Sequence, residues 1–231
     1  MTIVRETSVA SMLSGNEVED LEALFKLLQI KGLGGKLRPA FEKWIDSTGT
    51  AIVFDEGRES DMVVRLLVLK KQLDRIWRVS FQKHAELGHC LRETFETFLN
   101  RQKKGKSTWG TDNSKPEEMI AKYVDLLMRG GTKAIASSLA AIPINNEDKV
   151  DENAEKVVGD EDEVNRQLDQ VLDLFRFVQG KAVFEAFYKK DLARRLLMER
   201  SASDEAERNM ILRLKTGNTL AFRQCFMDIE C

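Results

Sequence analysis

Between residues 62 and 76, apolar side chains recur at alternating intervals of four and three residues. The series is Met62, Leu66, Leu69, Leu73 and Ile76. This spacing places the side chains along one narrow stripe of an α-helix, as in helices packed side by side. A single helix cannot bury such a stripe, so neighbouring helices must cover it. We therefore predict a long helix over residues 61–84 within a helical bundle.

The same helical spacing occurs along much of the chain. The repeating apolar sets are Leu21, Leu24, Phe25 and Leu28; Phe41, Trp44 and Ile45; Leu91, Phe95, Phe98 and Leu99; Ile120, Tyr123, Val124, Leu127 and Met128; Val164, Leu168, Val171, Leu172, Phe175 and Val178; and Met210, Ile211 and Leu214. The β-branched stretch TAIVF, residues 50–54, leaves an extended segment as the alternative there. With only three prolines in 231 residues, the chain is predicted to be all-α, with seven or eight helices.

Two stretches break the helical pattern. Residues 101–115 carry five basic side chains and one acid without apolar periodicity, which predicts an exposed loop. Residues 145–163 carry nine acids and two lysines, which predicts a disordered linker. Ser114 with Glu117, and Ser201 with Asp204, fit capping boxes at the starts of the helices that follow.

The sequence contains no complete motif for phosphate binding, metal binding or nucleophilic catalysis. KGKST at 104–108 lacks the first glycine of a phosphate-binding loop, and His84, His89 and Cys90 lack the i, i+4 spacing of a metal site. No nucleophile with an oriented base is marked, so we predict neither a catalytic site nor a cofactor. The net charge of −2 favours a solvated loop over a nucleic-acid contact at residues 101–115. No apolar run in the sequence is long enough to span a membrane. We therefore predict a protein that binds neither nucleic acid nor membrane.

The stretch FEAFYKKDLARRLL, residues 184–197, combines an apolar and a basic side in one helix. Phe184, Tyr188, Leu192 and Leu196 repeat every four residues, and Phe187, Ala193 and Leu197 widen that side, which is predicted to be core. Four basic residues fall on the remaining arc: Lys189, Lys190, Arg194 and Arg195. This concentration of one sign predicts a surface for an acidic partner, with an ordinary solvated face as the alternative.

The segment VFEAFYKKDLARRLL, followed by SASDEAERNMILRLK, resembles the region of cullins where the last N-terminal helical repeat meets the C-terminal domain. RETFETFLN, KPEEMIAKYVDLLMRGG and LDLFRFVQGKAVFEAFYKKDL resemble the cullin-4 subfamily in particular. The resemblance implies a helical bundle of cullin-repeat type with a long junction helix. Its divisions are residues 1–131 as repeat region, 132–163 as an acidic disordered insertion, 164–200 as the end of the last repeat with the junction helix, and 201–231 as the start of the C-terminal domain.

The resemblance also implies a function. Cullins are non-catalytic scaffolds of ubiquitin ligases in ubiquitin-dependent protein degradation, acting in the nucleus and cytoplasm. Their partners are a RING subunit, a substrate-receptor adaptor and a ubiquitin-conjugating enzyme, whose acidic tail meets basic residues near the repeat junction. Lys189, Lys190, Arg194 and Arg195 match that position. The resemblance covers an internal part of a cullin, which keeps open the alternative of a truncated helical module that competes with a full-length cullin.

Overall fold

The computed structural model describes residues 6–101, 115–130, 160–198, 200–201 and 204–217. In these residues the regular structure is helical, with short 3-10 turns at Gly34–Leu37 and Glu56–Asp61, which confirms the all-α prediction. The α-helices are α1 Glu6–Ser14, α2 Val18–Ile30, α3 Arg38–Val53, α4 Met62–Arg78, α5 Ala85–Leu99, α6 Lys115–Gly130, α7 Asp160–Phe175, α8 Lys181–Leu197 and α9 Asp204–Gly217.

The chain divides into two compact units. The first unit comprises Met1–Met119 and Leu174–Lys181, and the second comprises Ile120–Asp173 and Ala182–Cys231. The division predicted from the sequence, at residues 131, 163 and 200, stays a prediction. The acidic stretch lies outside the described residues up to 159, whereas its last four residues already form the start of α7.

The core of the first unit forms where α3 packs against α5. Gly49 of α3 allows this close approach, because a Cβ at that position would lie 2.5 Å from the Phe98 ring. Nearby, the Phe81 ring contacts Phe25 and Phe41, with centroid distances of 5.4 and 5.2 Å. The predicted stripes of α4 and α5 are fully buried. Burial of these side chains against one another supplies the main stabilising free energy of this unit.

The first four residues of the TAIVF stretch belong to helix α3, which ends at Val53 with Ile52 and Val53 buried, so the extended alternative is wrong. The predicted extent of α4 is also corrected, because the helix ends at Arg78 instead of His84. Gln82 and Lys83 adopt positive φ angles of 48° and 58°, which an α-helix does not allow. A hydrogen bond of 3.0 Å from the Trp77 indole to the His84 carbonyl closes this turn.

The core of the second unit contains side chains of α6, α7, α8 and α9. Its buried apolar residues are Ile120, Ala121, Tyr123, Val124, Leu127, Met128, Val164, Leu168, Val171, Phe184, Tyr188, Leu192, Ala206, Met210 and Leu214. The rings of Phe184 and Tyr188 stack along α8, with centroids 5.8 Å apart and planes 12° apart. Burial raises the pKa of the Tyr123 phenol to about 12. These contacts hold the N-terminal half of α8, which directly precedes the four basic residues.

The predicted loop at 101–115 and Ser114 of the first capping box lie outside the described residues, except for Arg101 and Lys115. Over the described ranges, no helix has the length and apolar character needed to cross a bilayer. The same ranges contain no group of three or more His, Cys, Asp or Glu side chains placed to hold a metal ion.

Candidate functional site

The candidate site is the C-terminal half of α8 together with the side chains that hold it. An α-helix turns about 100° per residue, so residues seven positions apart lie within about 20° of each other around the axis. Arg195 follows Tyr188 by seven residues and therefore lies on the buried side of α8. Lys190 and Arg194, four residues apart, share the opposite side. Helical geometry thus separates two adjacent arginines.

Arg195 is buried in the second unit, with 1% of the residue exposed. Its Nε and Nη2 donate to the two carboxylate oxygens of Glu207 on α9, at 2.6 and 3.0 Å. Its Nη1 donates to Asp125 Oδ1 on α6, at 2.6 Å. The planar guanidinium suits this arrangement because its fork of donors matches a carboxylate in two places at once. Arg195 therefore connects α8 to both α6 and α9.

Further polar contacts complete this buried cluster. The Ser201 hydroxyl donates to Glu207 Oε1 at 3.0 Å, so the side chain predicted to cap α9 contacts that carboxylate. Asp125 Oδ2 also pairs with Arg129 at 2.9 Å. The Arg195 guanidinium lies 5.7 Å from the centre of the Tyr188 ring, within the range of a cation–π contact. The buried cation thus meets two carboxylates and one aromatic face.

The cluster shifts the pKa values of its members. Burial alone would lower the pKa of the Arg195 guanidinium, but the hydrogen bonds and charge of Glu207, with Asp125, outweigh burial and raise it. Burial first, and then the charge of Glu207, raises the pKa of the Tyr188 phenol. Arg195 therefore stays cationic and Tyr188 stays neutral at physiological pH. The cluster therefore has the character of a structural ion pair, since neither group has a pKa close to 7, which proton transfer at physiological pH favours.

Arg195 is consequently a correction to the predicted basic surface. The sequence pattern predicts it on the exposed arc together with the other three basic residues, but the structure places its side chain in the interior. The signal was present in the sequence, since the spacing from Tyr188 is one heptad. The partners Glu207 and Asp125 were missed because they lie 12 and 70 residues away along the chain.

The other three basic residues lie at the surface to different degrees. Lys190 is exposed, and Arg194 has 48% of its side chain exposed beside Asp191, at 3.8 Å. Lys189 is half-buried and forms an ion pair of 2.9 Å with Glu185. We name Lys190 and Arg194 the exposed basic pair. A partner can reach these two positive charges without breaking a close ion pair on α8.

The apolar side of α8 ends earlier than the sequence predicted. Phe184, Tyr188 and Leu192 are buried, whereas Leu196 and Leu197 are 50% and 85% exposed. Successive steps of four residues advance about 40° around the helix, so three steps carry Leu196 about 120° from Phe184. Ala193 is also exposed and Phe187 is half-buried. The predicted core stripe is therefore wrong beyond Leu192.

A groove of about 430 Å³ lies in the first unit, along α3 and α5. Its charged side chains include two paired arginines: Arg101 binds Asp46 through both Nη atoms, at 2.5 and 3.1 Å, and Arg38 contacts Glu93 at 3.3 Å. Cys90 is among the residues that line the groove, but it is only 1% exposed. Burial raises the pKa of this thiol, which disfavours the thiolate needed for nucleophilic attack.

The comparisons with known proteins all point to the same family. Residues 1–229 match the cullin alpha solenoid domain. Cullin-4A of Homo sapiens is 36% identical over the whole chain, and Cullin-4 of Dictyostelium discoideum is 34% identical over 99% of it. Cullin-3 of Dictyostelium discoideum is 30% identical over 92% of the chain.

The chain spans about a quarter of the length of these relatives, 24–26% in each case. The match nevertheless covers both units and all the helices described above. The helical architecture agrees with that of an alpha solenoid, and the identity to two cullin-4 proteins agrees with the motifs in residues 92–215. The chain belongs to the cullin family and resembles its cullin-4 members.

Proposed function

We propose that this chain forms part of the scaffold of a cullin-RING ubiquitin ligase in ubiquitin-dependent protein degradation, in the nucleus and cytoplasm. The observation that carries the proposal is the match of residues 1–229 to the cullin alpha solenoid domain. The expected partners are a RING subunit, a substrate-receptor adaptor and a ubiquitin-conjugating enzyme. A scaffold holds these proteins in place and performs no chemical step itself.

The state of Cys90 does not fit a thiol that carries ubiquitin at this position. A ligase that carries ubiquitin on its own cysteine needs an accessible thiolate, but Cys90 is buried and the pKa of its thiol is raised. We expect no ubiquitin thioester on Cys90 when the chain is incubated with charged conjugating enzyme and analysed by peptide mapping without reductant. A thioester at Cys90 that disappears in Cys90→Ser would contradict the non-catalytic role.

Affinity purification of the endogenous protein tests the scaffold itself. We expect a RING subunit and an adaptor to co-purify, and the purified complex to extend ubiquitin chains when activating enzyme, conjugating enzyme and ATP are added. A protein recovered without either partner would contradict the proposal. If the purified 231-residue chain displaced the RING subunit from a longer cullin, the competing-module alternative would replace it.

Within this scaffold, we propose that the exposed basic pair contacts the acidic tail of the conjugating enzyme. Lys190 and Arg194 lie on one side of α8, which the buried Arg195 cluster holds in place. Lys189 contributes at the edge of this surface through its positive charge, although it is paired with Glu185. Because the charges are exposed, the attraction must weaken as salt is added.

Titration with a fluorescent acidic peptide tests this contact. We expect Lys190→Glu with Arg194→Glu to lower the affinity by about tenfold or more at low ionic strength, because two attractions become repulsions. The matched control is Lys71→Glu with Arg78→Glu, which reverses two exposed charges on α4. Equal affinities for the two double variants would remove the proposed contact while leaving the scaffold proposal intact.

A further inference from the structure

The connection between α7 and α8, residues 176–180, is held on one side by Asn100 at the end of α5. Asn100 Nδ2 donates to the Phe177 carbonyl at 2.7 Å, and its Oδ1 accepts from the Gln179 backbone N–H at 2.8 Å. The rings of Phe95 and Phe177 lie 5.1 Å apart beside this contact. An amide side chain does not titrate, so these contacts are independent of pH.

Glu117, in the first turn of α6, holds the other side of the connection. The residue is 6% exposed, and its carboxylate accepts hydrogen bonds from the backbone N–H groups of Gly180 and of Glu117 itself. Gly180 allows this approach because it has no side chain. A Cβ at position 180 would lie 3.0 Å from the carboxyl carbon of Glu117, tighter than ordinary contact.

The second carboxylate oxygen of Glu117 is the unusual feature. Oε2 is buried and has no hydrogen-bond partner. An ionised carboxylate with one oxygen removed from water and unpaired is costly, whereas the neutral acid is much less so. Burial accordingly raises the pKa of Glu117, although the two backbone N–H groups act in the opposite direction.

Charged side chains on the surrounding elements are Glu96 on α5, Lys115 and Glu118 on α6, Arg176 on the connection and Lys181 on α8. Glu96 accepts from the Gln179 side chain at 3.2 Å, Lys115 pairs with Glu59, and Lys181 lies over the Phe175 ring at 5.9 Å. The pKa of Glu117 is set by burial and by backbone N–H groups. Because burial is the largest of these causes, an opening that exposes the carboxylate to water favours the ionised form of Glu117.

We propose that Glu117 is a proton-sensitive latch on the α7–α8 connection. In the neutral form the carboxyl fits its buried position and the connection stays closed on α6. In the ionised form, opening brings Oε2 to water, so the closed state loses stability, while the contacts of Asn100, Glu96 and Phe95 with the connection remain. The stabilisation by Glu117 is complete below its ordinary pKa and is lost as the pH rises through the raised pKa of the closed state.

Hydrogen exchange of amides 176–181 in the full 231-residue chain tests the latch, with each rate divided by its intrinsic unfolded-chain rate. From pH 4 to pH 8 we expect wild-type protection to fall severalfold. Glu117→Gln should give constant protection, because its amide is neutral throughout. Glu205→Gln, an exposed glutamate on α9, should retain the wild-type profile. Identical pH profiles for wild type and Glu117→Gln would overturn the latch.

A second measurement covers the case in which Glu117→Gln does not fold. The Glu117 carboxyl carbon is followed by carbon-13 NMR through a pH titration of the wild-type chain. We expect a midpoint above the ordinary glutamate pKa of about 4.3. A midpoint at or below that value would show that the closed connection accepts the charge, and the latch would be rejected.

Discussion

Arg195 and Glu207 form a buried bidentate ion pair, with 2.6 Å between Nε and Oε1 and 3.0 Å between Nη2 and Oε2. The Arg195 side chain is wholly buried and that of Glu207 is 5% exposed. The pair joins α8 to α9 in the second unit. It consequently fixes the helix whose opposite side presents Lys190 and Arg194.

Removal of one partner of this pair should be costly. We expect Arg195→Ala to lower the free energy of unfolding by about 3–5 kcal/mol, because it leaves the Glu207 carboxylate buried without its cation. Urea unfolding followed by circular dichroism measures this change. Lys190→Ala, on the exposed side of the same helix, should change the free energy by no more than about 0.5 kcal/mol.

The double variant Arg195→Met with Glu207→Leu separates the pair from its parts. Replacing both charges by apolar side chains of similar size should cost less than the sum of the two single replacements, because the Glu207 carboxylate is removed together with its cation and Asp125 keeps its ion pair with Arg129. Equal losses for Arg195→Ala and Lys190→Ala would contradict the structural role of Arg195.

Gly49 should resist replacement because of its neighbour on α5. A Cβ at Gly49 would meet the Phe98 ring at 2.5 Å, so we expect Gly49→Ala to lower the free energy of unfolding by about 1–3 kcal/mol. Gly57→Ala is the control, since its nearest neighbour would lie 3.6 Å away. Adding Phe98→Leu to Gly49→Ala should recover part of the loss. A Gly49→Ala variant as stable as wild type would contradict the close packing of α3 on α5.

The pKa of Asp55 should report its ion pair with Arg65, beside the 3-10 turn that precedes α4. A hydrogen bond from Arg65, at 2.7 Å, is the main cause that holds the pKa of the Asp55 carboxyl below its ordinary value. The pair therefore stabilises the fold above the ordinary pKa, and this stabilisation is lost as the pH falls through the lowered pKa.

We expect Arg65→Met to raise the pKa of Asp55 back towards its ordinary value, as measured by NMR titration of the carboxyl. Arg58→Met should raise the pKa less, because Arg58 acts only through its charge and pairs with Asp61 at 3.3 Å. If Arg58→Met raised the pKa of Asp55 as much as Arg65→Met or more, Arg65 would not be the main cause of the lowered pKa.

Asn100 should contribute to stability through its two hydrogen bonds to the α7–α8 connection. We expect Asn100→Ala to lower the free energy of unfolding by about 1–3 kcal/mol and to accelerate exchange of the Gln179 amide, since Phe177 and Gln179 lose their partner. Thr97→Ala is the control, because that exposed hydroxyl bonds only to its own helix at Glu93. Unchanged exchange at Gln179 would show that the connection does not depend on Asn100.

Much of the fold follows from local sequence. The predicted stripe of α4 and the stripes of α5 and α6 consist of residues that the structure buries. This prediction succeeds because an α-helix has a fixed period, so the spacing of apolar residues determines which of them share a side. Element ends were less predictable. The apolar pattern continues past Arg78, but hydrogen bonds from Phe81 to Ile76 and from Lys83 to Trp77 close a turn there.

The candidate surface depended on tertiary structure. The sequence determined that α8 is a helix with an apolar side and that Arg195 lies one heptad after Tyr188. It did not determine whether a cation at that position would be buried, because burial of a charge requires compensating charges from elsewhere in the chain. Only the packing of α6 and α9 brings Asp125 and Glu207 to Arg195, and so leaves Lys190 and Arg194 as the exposed basic pair.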